Sequence, residues 1–353
     1  ETHGFSKNYE IAFKLIKEFK QKTNFEYLLA ETDLASSQRL NEILRSKDLE
    51  KLRAFMDEFN RSPAWCKERY DFYLKLIELN ETTDTPIQYF GVDIPSGGIG
   101  FCLERMKTIQ EKYNYQSSKM DSFVVESEVS YRLRDFLSEL RMNIEGKNFS
   151  ADDQFEHNFH LNNILNYVKA LETDTQLEWD RVRDSCMFEN YKALISHYDL
   201  SNEKMIGVWG TIHTYQRTSE NVSWFASLVK ENLDKKIYSY RIFYFDSKCM
   251  VHSSWIPGVL KVFRSKKKAF YNINLQNDDS FGTGKKEGVK QLKKACPKRS
   301  TVLYDLTREK SPYKELKNLV ICFDEDWATT DFFQSAIVVR LSLIHISEPT
   351  RRP

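Results

Sequence analysis

The sequence predicts an α/β fold: a mostly parallel sheet flanked by helices, with a helical insertion or layer. Three observations predict it. Short apolar runs alternate with amphipathic stretches of helical period, the pattern of strand–helix units around a parallel sheet. Two of the runs end on a carboxylate, Phe25–Glu31 and Ile87–Asp93, and a third, Lys204–Gly210, stops just before His213. Residues 100–200 interrupt the alternation with long charged-and-apolar helical patterns. At 353 residues the chain is long enough for one large domain with an elaborated insertion or for two modest ones. The organisation expected is a first part of the α/β core at 1–99, a helical elaboration at 100–200 and a second part of the core at 201–340.

In order, Ile11, Leu15, Ile16 and Phe19 mark one face of a helix over Ser6–Lys22. Phe25–Ala30 is a short, mostly apolar run of the kind found in buried parallel strands. Asp33 can cap the next helix, which carries Leu34, Leu40, Ile43 and Leu44. Helical patterns follow at 48–60 and 66–80. Pro86 introduces a second strand, Ile87–Asp93, and Pro95-Ser-Gly-Gly breaks the chain after it. Helices are then expected at 100–117, 119–145, 151–172 and 176–198, a third strand at Lys204–Gly210, a helix at Glu220–Lys235 and a fourth strand at Ile237–Phe245. Residues 272–288 read as a polar loop. Thr301–Leu306, Leu319–Phe323 and Ser335–Arg340 read as late strands near a sheet edge.

Composition excludes several functions. A formal charge of +1 leaves no excess of Lys or Arg to track phosphates, so neither nucleic acid nor an anionic membrane is an expected partner. No apolar run approaches the roughly 18–20 residues of a spanning helix. Six cysteines lie scattered without a Cys-x-x-Cys pair, which disfavours a zinc ribbon or a thioredoxin-type site, and most read as small buried hydrophobes. Both ends are abrupt. The first residue, Glu1, stands at what looks like the end of a strand, so a signal peptide could precede it, with the cytoplasm the favoured compartment. Leu341–Arg351 resembles the translation of a sequencing-library adapter, so 341–353 is expected to be read-through and is set aside, His345 with it. Without Glu348, Arg351 and Arg352 the chain carries 50 basic and 50 acidic residues, and stays neutral.

The chemistry-bearing residues sit where strands end. In an open parallel sheet the carboxyl ends of neighbouring strands converge on one crevice, where ligands bind. His3 stands just ahead of the first helix; with a pKa near 6.5 an imidazole is largely neutral at working pH and can accept a proton. The plainer alternative is a histidine that caps the helix. Glu31 closes an otherwise apolar strand, where a carboxylate must be solvated, hydrogen-bonded or paired. Asp93 repeats the position one strand later, the alternative being a turn residue before Pro95. His213 follows a third strand, where an isolated histidine is more often structural. Together the four favour a cleft lined by histidine and carboxylate groups. Arg183, Met187 and Asn190 share one helical face; Arg183 could bind a substrate carboxylate, orient Glu31 or Asp93, or serve as an ordinary ion-pair partner. Other motifs fail: Gly282–Lys286 lacks the first glycine and the Ser/Thr of a phosphate-binding loop, and His157 with His160 has no third metal ligand nearby. There is no Gly-x-Ser-x-Gly nucleophile elbow.

These stretches, in this order, resemble the erythromycin esterase family. Thr2-His3-Gly4 matches the end of its opening Gly-Glu-x-x-His-Gly motif, Phe25–Glu31 its strand ending on Glu, and Gly91-Val-Asp93 its Gly-x-Asp strand end. Arg183-Asp184-Ser-Cys-Met187-Phe-Glu-Asn190 matches its Arg-Asp-x-x-Met-x-x-Asn helix, and His213 its second histidine. Ala12 stands where relatives often carry a basic residue, and Thr211 where they usually carry Asn. The resemblance implies a metal-independent, cofactor-free hydrolase acting on a small-molecule ester or lactone. His3 would activate water, Glu31 would orient His3 or the water, and His213 would stabilise the oxyanion or protonate the leaving alkoxide. Glu1, Asp93 and Arg183 would bind or orient substrate. Two rivals are a metal-assisted hydrolase with His3, Glu31 and His213 as ligands, and a non-enzymatic binder of a hydrophobic ligand such as haem on the same scaffold.

Overall fold

The computed structural model describes residues 4–58, 66–95, 97–114, 135–138, 141, 148–219, 221–233, 235–252, 270–273, 277–279, 286–316 and 327–341. The first half of the chain gives α1 (Lys7–Thr23), β1 (Tyr27–Ala30), α2 (Leu34–Ser46), α3 (Leu49–Asp57), α4 (Lys67–Glu81), β2 (Gln88–Gly91) and α5 (Gly100–Lys112). Then come α6 (Ala151–Leu171), α7 (Gln176–His197), β3 (Met205–Val208), α8 (Phe225–Asn232), β4 (Tyr240–Phe245), β5 (Cys249–His252) and β6 (Phe270–Ile273). The last described elements are α9 (Glu287–Ala295), β7 (Ser300–Asp305), α10 (Thr329–Phe332) and β8 (Ser335–Arg340). This is an α/β fold. It forms two compact units: a smaller one of Phe25–Glu42 and Ile87–Gly207, and a larger one of Glu1–Asn24, Ile43–Pro86 and Val208–Pro353. The strand expected at Leu319–Phe323 and most of the helix expected at 119–145 lie outside the described residues.

In the smaller unit, β1 and β2 pair in parallel, Tyr27 opposite Gln88 and Ala30 opposite Gly91, and the sheet order is β2-β1-β3. Leu28, Leu29 and Ala30 are all buried, which is why β1 is an apolar run. Asp33 caps α2, accepting the Ser36 N–H at 2.9 Å and the Ser36 hydroxyl. One turn further, α2 bonds to β2, the strand beside the one it follows. The Ser37 hydroxyl accepts the Gly91 N–H at 3.0 Å, while the Asn41 amide accepts the Tyr89 N–H at 2.8 Å and donates to the Tyr89 carbonyl at 2.9 Å. The Ser150 and Thr175 hydroxyls cap α6 and α7, accepting the N–H groups of Asp153 and Glu178. Helix α6 packs on α5 through Met106, Leu161, Ile164 and Val168, each fully buried, and α7 packs on α6 in turn. Each such side chain contributes roughly 1.5–3 kcal/mol.

His157 is fully buried in this layer, its Nε2 3.0 Å from Gln110 Nε2. The amide donates there, so the ring is neutral and accepts. Burial, seconded by His160 and opposed by Glu156, pushes this imidazole down to about 4. The unfolded chain therefore takes up a proton below about pH 6.5 that the folded chain refuses until about 4. Stability is lost as pH falls through that window, by roughly 3 kcal/mol at about 1.4 kcal/mol per unit. His157→Gln offers Gln110 an acceptor and cannot titrate. Urea denaturation between pH 7 and 4 should show a flatter pH dependence in this variant; an unaltered slope would remove His157 from the account.

The larger unit holds a second three-stranded sheet, β4-β8-β7, with β4 and β8 parallel and β7 antiparallel to β8. A separate antiparallel pair joins β5 to β6. Its core is aromatic, built on Tyr215, Trp224, Phe243, Phe245, Phe332 and Phe333. Arg241 is buried against it, donating to Asp278 at 3.0 Å and to the Tyr215 hydroxyl at 3.1 Å, with its guanidinium 4.5 Å from the Phe243 ring. At the start of the chain Phe5 stacks on Tyr244, ring centroids 3.9 Å apart. Beside it Gly4 lies at φ +89° and accepts the Met250 N–H at 2.9 Å. A Cβ at residue 4 would come within 2.3 Å of the Met250 carbonyl oxygen, so only glycine fits.

Candidate active site

The parallel register of β1 and β2 brings the ends of both strands to one edge of the sheet. Asp93 N–H donates to the Thr32 carbonyl at 2.9 Å, which extends the pairing past the strands proper. Glu31 and Asp93 therefore leave the sheet side by side. Gly91 makes the approach possible, because a Cβ there would stand 2.2 Å from the Asp33 carbonyl oxygen and 2.6 Å from that of Thr32. The turn carrying Glu31 passes directly over it.

Arg183, in the third turn of α7, joins the two carboxylates. Its Nε donates to Asp93 Oδ1 at 2.9 Å and Oδ2 at 3.2 Å, and its Nη2 donates to Asp93 Oδ2 and to Glu31 Oε1, the latter at 2.7 Å. The Asp93 side chain is 0% exposed and those of Arg183 and Glu31 are each 15% exposed, so the array opens to solvent on the Glu31 side. Burial lowers the pKa of the guanidinium, but the charges and hydrogen bonds of Asp93 and Glu31 more than offset it and raise the pKa above the ordinary arginine value. Arg183 is a permanent cation shared by two carboxylates.

Two amides hold the backbone under the array. Asn190 Nδ2 donates to the Val92 carbonyl at 2.9 Å and to Asn163 Oδ1 at 2.9 Å, and Asn163 Nδ2 donates to the Asp93 carbonyl at 2.8 Å. Both backbone groups only accept, so the amide orientations follow from the network. Asn190 belongs to the face that the Arg183–Met187–Asn190 spacing picks out. Asn163 was not singled out by sequence; the signal available was an amide on the buried face of α6, between Leu161 and Ile164. Nearby thiols stay protonated: burial pushes Cys186 up to about 11 and Cys102 well above its usual value.

The remaining sequence-predicted residues fall elsewhere. His213 lies in the larger unit, on a one-turn 3-10 helix, Thr211–Thr214, that follows β3. It is 3% exposed, with its ring edge-on to Trp224 at 6.3 Å. His3 and Glu1 lie outside the described residues, although Gly4, next in sequence to His3, is pinned to β5. Among the described residues no three His, Cys, Asp or Glu side chains gather in a metal-binding group, and no helix is long and apolar enough to cross a membrane.

Neither a protein-family model nor a curated protein sequence matches the chain. Solved structures do. A Bacillus cereus protein aligns over 98% of this chain and 88% of its own at 14% identity, with a TM-score of 0.61. A protein described as a succinoglycan biosynthesis protein aligns over 96% and 86% at 12% identity, TM-score 0.61. A mutant of the erythromycin esterase EreC, in its open conformation, aligns over 92% of this chain and 85% of its own at 12% identity, TM-score 0.62. Over nearly its whole length, the chain has the fold of an erythromycin esterase.

Proposed function

We propose that the protein is a hydrolase that cleaves an ester or lactone of a small molecule with water activated by a histidine. The observation that carries this reading is the braced carboxylate pair at the carboxyl edge of a parallel sheet, in a chain with an esterase's fold. In the proposed mechanism His3 takes a proton from water as the water attacks the carbonyl carbon. Glu31, kept in one orientation by Arg183, orients the base or the water. His213 donates to the developing oxyanion or returns a proton to the leaving alkoxide; a donor in that role is worth about 3–4 kcal/mol in other hydrolases. Glu1 and Asp93 complete the orienting groups. No cofactor is called for in this scheme.

The test is a panel of esters and lactones, a macrolide among them, incubated with the chain with and without chelator. Hydrolysis that persists with chelator and drops by about 10²- to 10⁴-fold in His3→Ala is the expected result. Loss to chelator would make His3, Glu31 and His213 a metal site instead. Full activity in His3→Ala, with the fold intact by circular dichroism, overturns the mechanism.

A further inference from the structure

We propose that Asn163 and Asn190 are positioning residues for the Glu31–Arg183–Asp93 array. Two observations carry this. First, the amides grip the chain at consecutive carbonyls, Val92 and Asp93, just past the end of β2. Second, both amides are buried, Asn163 fully and Asn190 to 6% exposure, and each uses its polar atoms on one another and on that backbone.

The geometry then propagates outward. The peptide planes at Val92 and Asp93 set the direction in which the Asp93 side chain leaves the backbone. Asp93, fully buried, meets Arg183 through both oxygens, and one nitrogen of that guanidinium, Nη2, goes on to Glu31. Glu31 is thus held at the end of a chain of directional bonds that begins at two neutral amides on α6 and α7. Asn190 lies on the same face of α7 as Arg183, seven residues on, so one helix supplies both the cation and the clamp under its anion. Removing a clamp leaves the charges in place and frees their orientation.

The experiment reads Arg183 itself and needs no substrate. In the full chain, the Arg183 Nε–H resonance, assigned by its loss in Arg183→Lys, should exchange slowly with solvent because it is buried and bonded to Asp93. Asn190→Leu should speed that exchange by about tenfold or more, as expected when hydrogen bonds to a charged group open more readily. Asn163→Ala, which leaves the Asn190 bond to Val92, keeps the test open if Asn190→Leu does not fold and should show a smaller acceleration. Val168→Ala is the control: it opens a cavity in the same layer and lowers stability without touching the amides. Unchanged exchange in both amide variants overturns the proposal, as does equal acceleration in Val168→Ala. A kinetic arm rests on the hydrolase reading above: with any ester the wild type turns over, Asn190→Leu should lower kcat and leave KM within about twofold. A wild type without turnover counts against that reading alone, since the exchange result stands by itself.

Discussion

Arg183→Leu should cost about 3–5 kcal/mol of stability in urea denaturation, the largest loss expected of any single substitution at the site. The size follows from burial. Asp93 has a side chain of 0% exposure and meets the guanidinium through both oxygens; removing Arg183 strips this buried charge of the cation that binds both of them. Glu31 loses the same partner but is partly solvated and suffers less. Arg183→Lys should recover only part of the loss, because a single ammonium cannot reproduce the bonds that Nε and Nη2 make to two carboxylates. Combining Arg183→Leu with Asp93→Asn removes the buried negative charge and should be milder than Arg183→Leu alone. A cost below about 1 kcal/mol for Arg183→Leu would mean that the array is solvated and loosely held.

The second large effect comes from the least conspicuous residue of the site. Gly91→Ala should destabilise by about 3 kcal/mol, at or above the upper end for overpacking. The obstacle is backbone: the new methyl meets the carbonyls of Thr32 and Asp33, and no side-chain rotation relieves it. The turn must lift off β2, and Glu31 and the Asp33 cap of α2 move with it. Esterase activity, if the proposed function holds, should fall with the stability. Gly97→Ala is the control, since no described atom lies within 4 Å of a Cβ at that position, and it should stay within about 0.5 kcal/mol of wild type. Equal melting temperatures for the two variants would show that the turn has room to spare.

What the sequence revealed of all this depended on the range of the interaction. β1, β2, β4 and β8 were legible as apolar runs, and Asp33 as a cap, because each is settled by a few neighbouring residues. The expected helix at Glu220–Lys235 proved shorter, Phe225–Asn232, since Ser219 and Val222 pair with each other across a tight turn first. The β5–β6 pair went unseen: its strands are four residues each, and His252 and Phe270 are too far apart in sequence to read as a hairpin. Helix α9 was hidden partly by a polar run that continued into it. At the site, Glu31, Asp93 and Arg183 could each be named from strand ends and helical spacing. That one guanidinium would join two carboxylates 90 and 152 residues away in sequence belongs to the tertiary fold. The Asn163–Asp93 and Asn190–Val92 bonds, spanning 70 and 98 residues, are of the same kind.

The bonds from α2 to β2 have a consequence for assembly. Gln88 turns its N–H toward β1, where Glu26 accepts it, so the N–H groups of Tyr89 and Gly91 and the Tyr89 carbonyl face the outer margin of the sheet. Ser37 and Asn41 occupy those three groups. With those three groups taken, the margin is a poor template for an incoming strand, from this chain or another. Two polar side chains of a helix thus end the sheet at β2 and guard it against edge-to-edge aggregation, a protection usually supplied by charge, proline or a bulge.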